Sequence, residues 1–150
     1  MEKLHHIIVD ALGSDKGPET IALGVSLALK ESSNLHITVV GPESLIKEIL
    51  SRENTDMSRV EIVDANETIT NYENPVEAIY KKTDSSLVKS MKLLVSDEKY
   101  VGLLTAGCSA AILMGSFRYC STPERNRPCM AALLPSEKGG LTCLLDTGAS

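Results

Sequence analysis

Three short stretches combine Gly, Ser and Asp in the way that anion-handling turns do. They are Asp10-Ala-Leu-Gly13-Ser14-Asp15-Lys16-Gly17-Pro18, Thr105-Ala-Gly107-Cys108-Ser109-Ala110 and Asp146-Thr-Gly148-Ala-Ser150. Each follows a run of aliphatic residues, and the first two precede a helical pattern. A helix start presents unpaired N–H groups and the positive end of the helix dipole. Glycine lets the backbone come close to a bound group, Ser14 and Ser109 add hydroxyls, and Lys16 adds a charge. Tight strand-to-helix turns use the same residues for purely local reasons, so the spacing alone leaves both readings open. Neither turn has the spacing of a nucleotide-binding P-loop or of G-x-G-x-x-G.

Asp10 and Asp15 flank the first turn as a candidate general base and its orienting partner; capping and turn formation are the plainer roles. Ser85 and Ser86 stand at a further helix start, with Asp84 as its expected N-cap. Cys108 sits where a helix terminus would lower a thiol pKa. It has no histidine nearby in sequence, which favours a small wall residue over a nucleophile. His5, His6 and His36 lie at strand starts, away from the turns.

The surrounding periodicity supplies the elements that would position these turns. Leu4 to Asp10, Leu35 to Gly41, Arg59 to Ala65 and Val101 to Gly107 read as strands, being short, β-branched or aliphatic, and closed by glycine or polar residues. Helical spacing follows Gly17-Pro18 (Ile21, Ala22, Val25, Ala28, Leu29), runs from Pro42 to Arg52, and returns after Asn74. From Ser85 to about Ser96, Leu87, Val88, Met91, Leu94 and Val95 form an apolar stripe. A small-residue helix spans Cys108 to Tyr119. Strands separated by helices predict a mostly parallel sheet covered on both faces. Cys129 to Pro135 and Leu141 to Gly148 read as a hairpin through Gly139 and Gly140. The expected fold is thus α/β, a Rossmann-like three-layer sandwich carrying a β-hairpin near the C-terminus, with residues 1–150 as a single domain.

Composition narrows the classes. A chain of 150 residues with 43% apolar content is globular rather than disordered. Net charge −5 and 3% aromatic residues argue against nucleic acid, which needs Lys and Arg on phosphates and rings under bases. The most apolar stretch, near Val101 to Gly115, is short of the roughly 20 residues of a membrane span. The N-terminus reads as a strand, not a leader, so the expectation is a cytoplasmic protein. Cys108, Cys120, Cys129 and Cys143 contain no C-x-x-C pair, and no metal site is expected.

Four segments in order resemble one family. Ile7 to Glu19 (IIVDALGSDKGPE) resembles the opening of the PlsX phosphate acyltransferases, and Lys81 to Leu94 (KKTDSSLVKSMKLL) resembles their R-x-K-x-x-S-S-M helix start. Leu103 to Ser116 (LLTAGCSAAILMGS) is similar to V-S-A-G-N-T-G-A-L-x-A, and Arg127 to Ser150 is similar to R-P-A-L-A-x-x-L-P followed by L-L-D-V-G-A-N. The resemblance implies the N-terminal half of such a protein. It also implies a fold like that of phosphotransacetylases and isocitrate or isopropylmalate dehydrogenases.

The implied reaction moves a fatty acyl group from acyl carrier protein to inorganic phosphate, giving acyl phosphate for phospholipid synthesis. A homodimer without a cofactor is implied, with peripheral membrane contact left open for a full-length protein. Asp10, Gly13 and Asp15 would shape one wall, Ser85 and Ser86 would offer donors, Gly107 and Ser109 would form an anion nest, and Asp146 and Gly148 would close the third turn. Ser14, Cys108, Ala110 and Ser150 stand where the family has Gly, Asn, Gly and Asn, and loss of Gly at 14 and 110 is expected to restrict positive φ.

Two other classes remain open. One is a diverged, non-catalytic anion-binding or assembly module. The other is a phosphotransacetylase-like enzyme using coenzyme A. An acidic carrier protein would need Lys81, Lys82, Lys89 and Lys92 as a local basic patch, where a solvated helix face is their ordinary role.

Overall fold

The structure, a computed structural model, describes residues 4–120 and 128–147. A parallel four-stranded sheet forms from β1 (His5–Asp10), β2 (Leu35–Gly41), β3 (Val60–Asp64) and β4 (Tyr100–Leu104), in the order β3-β2-β1-β4, with the buried aliphatic residues on the two central strands. β1 lies between β2 and β4, with Asp10 opposite Val40 and Val9 opposite both Val39 and Leu104. The chain winds outward from β1 to β3 and then crosses back to place β4 on the other side. The strand order therefore reverses between β1 and β4, where open α/β sheets bind ligands beyond the carboxyl ends of the strands.

Helices cover both faces, as the continuous apolar strands require. On one face α1 (Gly17–Glu31) and α2 (Glu43–Arg52) pack Val25, Leu29, Ile46 and Leu50 onto Val9, Ile37 and Val39. Arg59 donates to Leu29 O and Ser32 O at 2.6 and 2.7 Å, placing a cation at the negative end of α1. On the other face α4 (Ser86–Ser96) brings Leu93 and Leu94 to Ile8 and Val40. Its inner side also meets α3 (Pro75–Lys81) and α5 (Ser109–Tyr119) around Ile79, Leu87, Val88, Met91 and Ala111.

Three local expectations shift. Asp84 does not cap α4; Ser85 takes that position. The buried stripe of α4 turns toward Ser86 and Ser90, whose hydroxyl is satisfied by Ser86 O at 2.7 Å, while Val95 is exposed. The fourth strand stops at Leu104 because Thr105 leaves the ladder to bond Asp10. The hairpin of β5 (Ala131–Pro135) and β6 (Leu141–Leu145) forms a separate antiparallel pair, with every residue of β6 exposed. Among the described residues no helix is long and apolar enough to cross a membrane.

Candidate functional site

The first two Gly-containing turns meet at the tips of β1 and β4. A Cβ at Gly13 would stand 2.8 Å from Gly107 N and 2.9 Å from Gly107 Cα. Those neighbours are backbone atoms, so position 13 admits glycine alone without displacing the facing turn. Neither Gly13 nor Gly107 has positive φ, so contact between the turns, not a strained conformation, explains both residues.

Asp10 fastens this junction. It is 1% exposed, and a carboxylate removed from water needs hydrogen-bond donors. Oδ1 accepts from Leu12 N at 3.1 Å, and Oδ2 accepts from the Thr105 hydroxyl at 2.9 Å. Thr105 Oγ1 in turn accepts from Gly107 N at 3.1 Å. Asp10 thus spends its two oxygens on the turns themselves, in an orienting position. Asp15 and Lys16 lie exposed on the outside of the first turn.

A third segment, between β3 and α3, buttresses the first turn. Thr68 donates to Leu12 O at 3.0 Å, and Glu67 bridges Ser85 and accepts from Ser86 N at 2.9 Å. Lys82 clasps this segment through Thr68 O at 2.9 Å and Glu73 at 2.6 Å. The Lys82 ammonium, helped by the N–H and hydroxyl of Thr70, holds the Glu73 carboxyl down to about 2.

The first turns of the helices differ in what they can offer an anion. In α1, Gly17 N is taken by Ser14 O at 3.1 Å, Pro18 has no N–H, and Glu19 adds negative charge. At α4, Ser85 and Ser86 are buried, the Ser85 hydroxyl donates to Lys82 O at 2.8 Å, and Ser86 N is spent on Glu67. The donors expected of Ser85 are therefore committed to the protein.

Like α1 and α4, α5 starts without a side-chain cap from its N-cap residue, here Cys108, and its Ser109 and Ala110 are exposed. Asn74 caps α3 through Val76 N and Glu77 N, and at α2, whose N-cap Pro42 makes no side-chain bond, Asp64 accepts from Glu43 N. Cys108 is partly buried against the α3–α4–α5 cluster, as a small wall residue would be.

Several sequence expectations change here. Ser14 and Ala110 do not have positive φ, so replacing glycine strains neither position; Ala110 lies in the first turn of α5, where Ala suits a helix better than Gly. Ser14 accepts from Lys16 N at 3.1 Å and shapes the turn. Two of the four lysines expected as a basic patch are ion-paired, and the other two bond backbone carbonyls and keep uncompensated charge. Lys81 pairs with Glu77, Lys82 with Glu73, and Lys89 and Lys92 donate to Asp64 O and Thr83 O. The third turn stays with the hairpin: Asp146 has φ 54° and donates its N–H to Met130 O at 2.9 Å. Gly148 and Ser150 lie outside the described residues.

Sequence reading missed Thr105, Thr68 and the Lys82–Glu73 pair. Their roles depend on partners distant in sequence, such as the Asp10–Thr105 bond, which spans 95 positions. The histidines lie at the opposite end of the sheet, where His6 Nε2 is 3.0 Å from Thr38 Oγ1 and burial lowers the imidazole pKa.

A family model described as "Fatty acid synthesis protein" matches residues 5–150. A protein of Clostridium tetani named "Phosphate acyltransferase" is 38% identical over 145 residues, covering 96% of this chain and 43% of its own length. A protein of the same name from Halothermothrix orenii is 35% identical over 145 residues, with the same coverage. A Clostridium perfringens protein so named is 37% identical, with 42% of its length covered. The chain thus spans less than half the length of these relatives.

Two predictions follow from this geometry. Gly13→Ala should cost roughly 1–3 kcal/mol in denaturant unfolding, because the added carbon meets backbone. Ser14→Gly should change stability by less than about 1 kcal/mol; equal effects would contradict the packed junction. On acidification, a depressed carboxylate stabilises above its unfolded value near 4.5 and loses that contribution as pH falls through about 2. The amides of Thr68 and Thr70 should therefore titrate near pH 2, and Glu73→Gln should remove that transition; a midpoint near 4.5 would contradict the clasp.

Proposed function

The chain belongs to the fatty acid synthesis protein family, and from that premise we propose that it forms the phosphate-binding part of a phosphate acyltransferase. It corresponds in this reading to the N-terminal half of a protein with a phosphotransacetylase-like and isopropylmalate-dehydrogenase-like fold. The observation that carries it is the α5 N-terminus, exposed and without a side-chain cap beside the packed Gly13–Gly107 junction. The N–H groups of the exposed Ser109 and Ala110 make the first turn of α5 a natural anion site. Gly107 and the Ser109 hydroxyl border it.

The chemistry is one acyl transfer. A phosphate oxygen attacks the thioester carbonyl, a C–O bond forms, the C–S bond breaks and the sulfur leaves as a thiol after taking a proton. Phosphate fixed on backbone donors is already positioned for attack. Donors at the turns would also favour the oxyanion that develops on the carbonyl. Asp10 acts through the turns it joins, and Asp15 is the carboxylate open to solvent beside them. Acyl carrier protein is the proposed donor, in a cytoplasmic homodimer that needs neither metal nor cofactor. The replaced Asn at 108 favours no loss of anion binding, since Cys108 leaves the helix N–H groups uncapped.

A chimera tests this reading. These residues would replace the corresponding segment of the Clostridium tetani relative. With acyl-carrier-protein thioester and inorganic phosphate, the chimera should form acyl phosphate, and coenzyme A thioester should serve as the poorer donor. The 150-residue chain alone should be inactive or nearly so. A folded chimera that binds phosphate but forms no acyl phosphate would favour the non-catalytic anion-binding reading.

A further inference from the structure

At the end of the sheet opposite the candidate site, polar side chains from all four strands meet on one face. His6 and Thr38 share that face with Ile8 and Val40, which pack under α4. Thr38 is fully buried, and three polar atoms surround its hydroxyl. His6 Nε2 of β1 lies at 3.0 Å, Glu61 Oε2 of β3 at 3.1 Å and the Tyr100 hydroxyl of β4 at 3.4 Å. Thr38 has one proton to give, and the Glu61 carboxylate only accepts. That proton therefore goes to Glu61, and the His6 Nε2–H donates to Thr38 Oγ1. Neutral His6 is thus held in its Nε2–H tautomer, and a further proton arrives at Nδ1.

The ladder between β1 and β4 is irregular at the same place. His6 pairs with Tyr100 but Ile7 pairs with Gly102, so Val101 drops out of register. Side chains hold the strands together there, with the His6 and Tyr100 rings 5.0 Å apart between centroids. The His36 ring of β2 is 5.8 Å from His6, and Lys99 donates to both Glu61 oxygens at 3.2 Å. Burial is the largest effect on His6 and holds the imidazole pKa below its ordinary 6.5; Lys99 and His36 act in the same direction, against Glu61 and Asp97. Burial opposes charge on Glu61 too, but hydrogen bonds from Lys99 and Thr38 hold its carboxyl below the ordinary 4.5, so it stays ionised while His6 titrates.

We propose that this group of side chains is an acid-sensitive latch on the strand starts: neutral His6 ties β1 and β4 through Thr38 to Glu61, and protonated His6, set beside His36 and Lys99, releases the start of β4. Linkage fixes the direction. A base whose folded pKa lies below its unfolded value stabilises the fold above 6.5 and loses that contribution as pH falls through the folded pKa. The latch sits at the far end of β1 from Asp10 and does not depend on the phosphate acyltransferase reading.

Amide hydrogen exchange on the 150-residue chain, corrected for the intrinsic rate at each pH, reads the latch, while the imidazole signals give the His6 midpoint. From neutral pH to the acid side of that midpoint, protection from Tyr100 to Leu103 should fall about tenfold for each pH unit separating the midpoint from 6.5. Val39 and Val40 of the central strand should keep theirs. His6→Gln, whose amide still donates to Thr38 but does not titrate, should keep the protection seen at neutral pH and lose the fall. His36→Gln should move the His6 midpoint upward, since one repelling neighbour is gone. A His6 midpoint at or above 6.5, or an equal fall in folded His6→Gln protein, would overturn the latch. Should His6→Gln fail to fold, His36→Gln decides, and an unmoved His6 midpoint overturns it.

Discussion

Two backbone turns in direct contact, Gly13 on Gly107, set the geometry on which the rest of the site depends. They meet where the strand order reverses, a place where neighbouring turns ordinarily diverge and leave a crevice. Holding them together needs a fastener that reaches both strands. Asp10 serves because burial leaves its carboxylate no water, and the donors within reach belong to both turns. Removing either partner would leave a buried polar group unpaired, at a cost of about 1–3 kcal/mol. The carboxylate that looks most like a general base is thus an anchor for the junction.

From that junction the helix termini acquire different roles. The first turn of α1 satisfies itself through Ser14 and Gly17, and α4 is sealed by Glu67 and Lys82. At α5 the residues Ser109 and Ala110 are exposed and the N-cap residue makes no side-chain bond to the helix, which sets this start apart from the buried start of α4. The departures from the family pattern fit this arrangement. Ser14 and Ala110 occupy conformations open to any residue, and Cys108 contributes bulk to a wall without occupying the helix donors.

Most of the fold was legible because apolar periodicity reports burial directly. Val9, Val25, Leu29, Ile37 and Val39 occur at the spacings their faces require, and all belong to one cluster. The turns were legible as turns through Gly13, Gly107 and Pro18. Their mutual contact was not, since nothing local in Asp10 announces a partner 95 positions away. Lys82 illustrates the same limit. A lysine in a charged run looks solvated, yet here it bonds Thr68 and Glu73 and braces the turn beyond them. Ser85 misled in the opposite direction, because a helix-start serine suggests ligand donors until its hydroxyl is seen to donate to Lys82 O.

The proposal at the centre is that the exposed start of α5 binds an anion. Inorganic phosphate titrated into nitrogen-15-labelled protein, followed by amide chemical shifts, tests it most directly. The account predicts saturable shifts at Ser109 and Ala110, with the Asn74-capped amides of Val76 and Glu77 unmoved. Shifts no larger at α5 than at Val76 and Glu77, in protein shown to be folded, would contradict it.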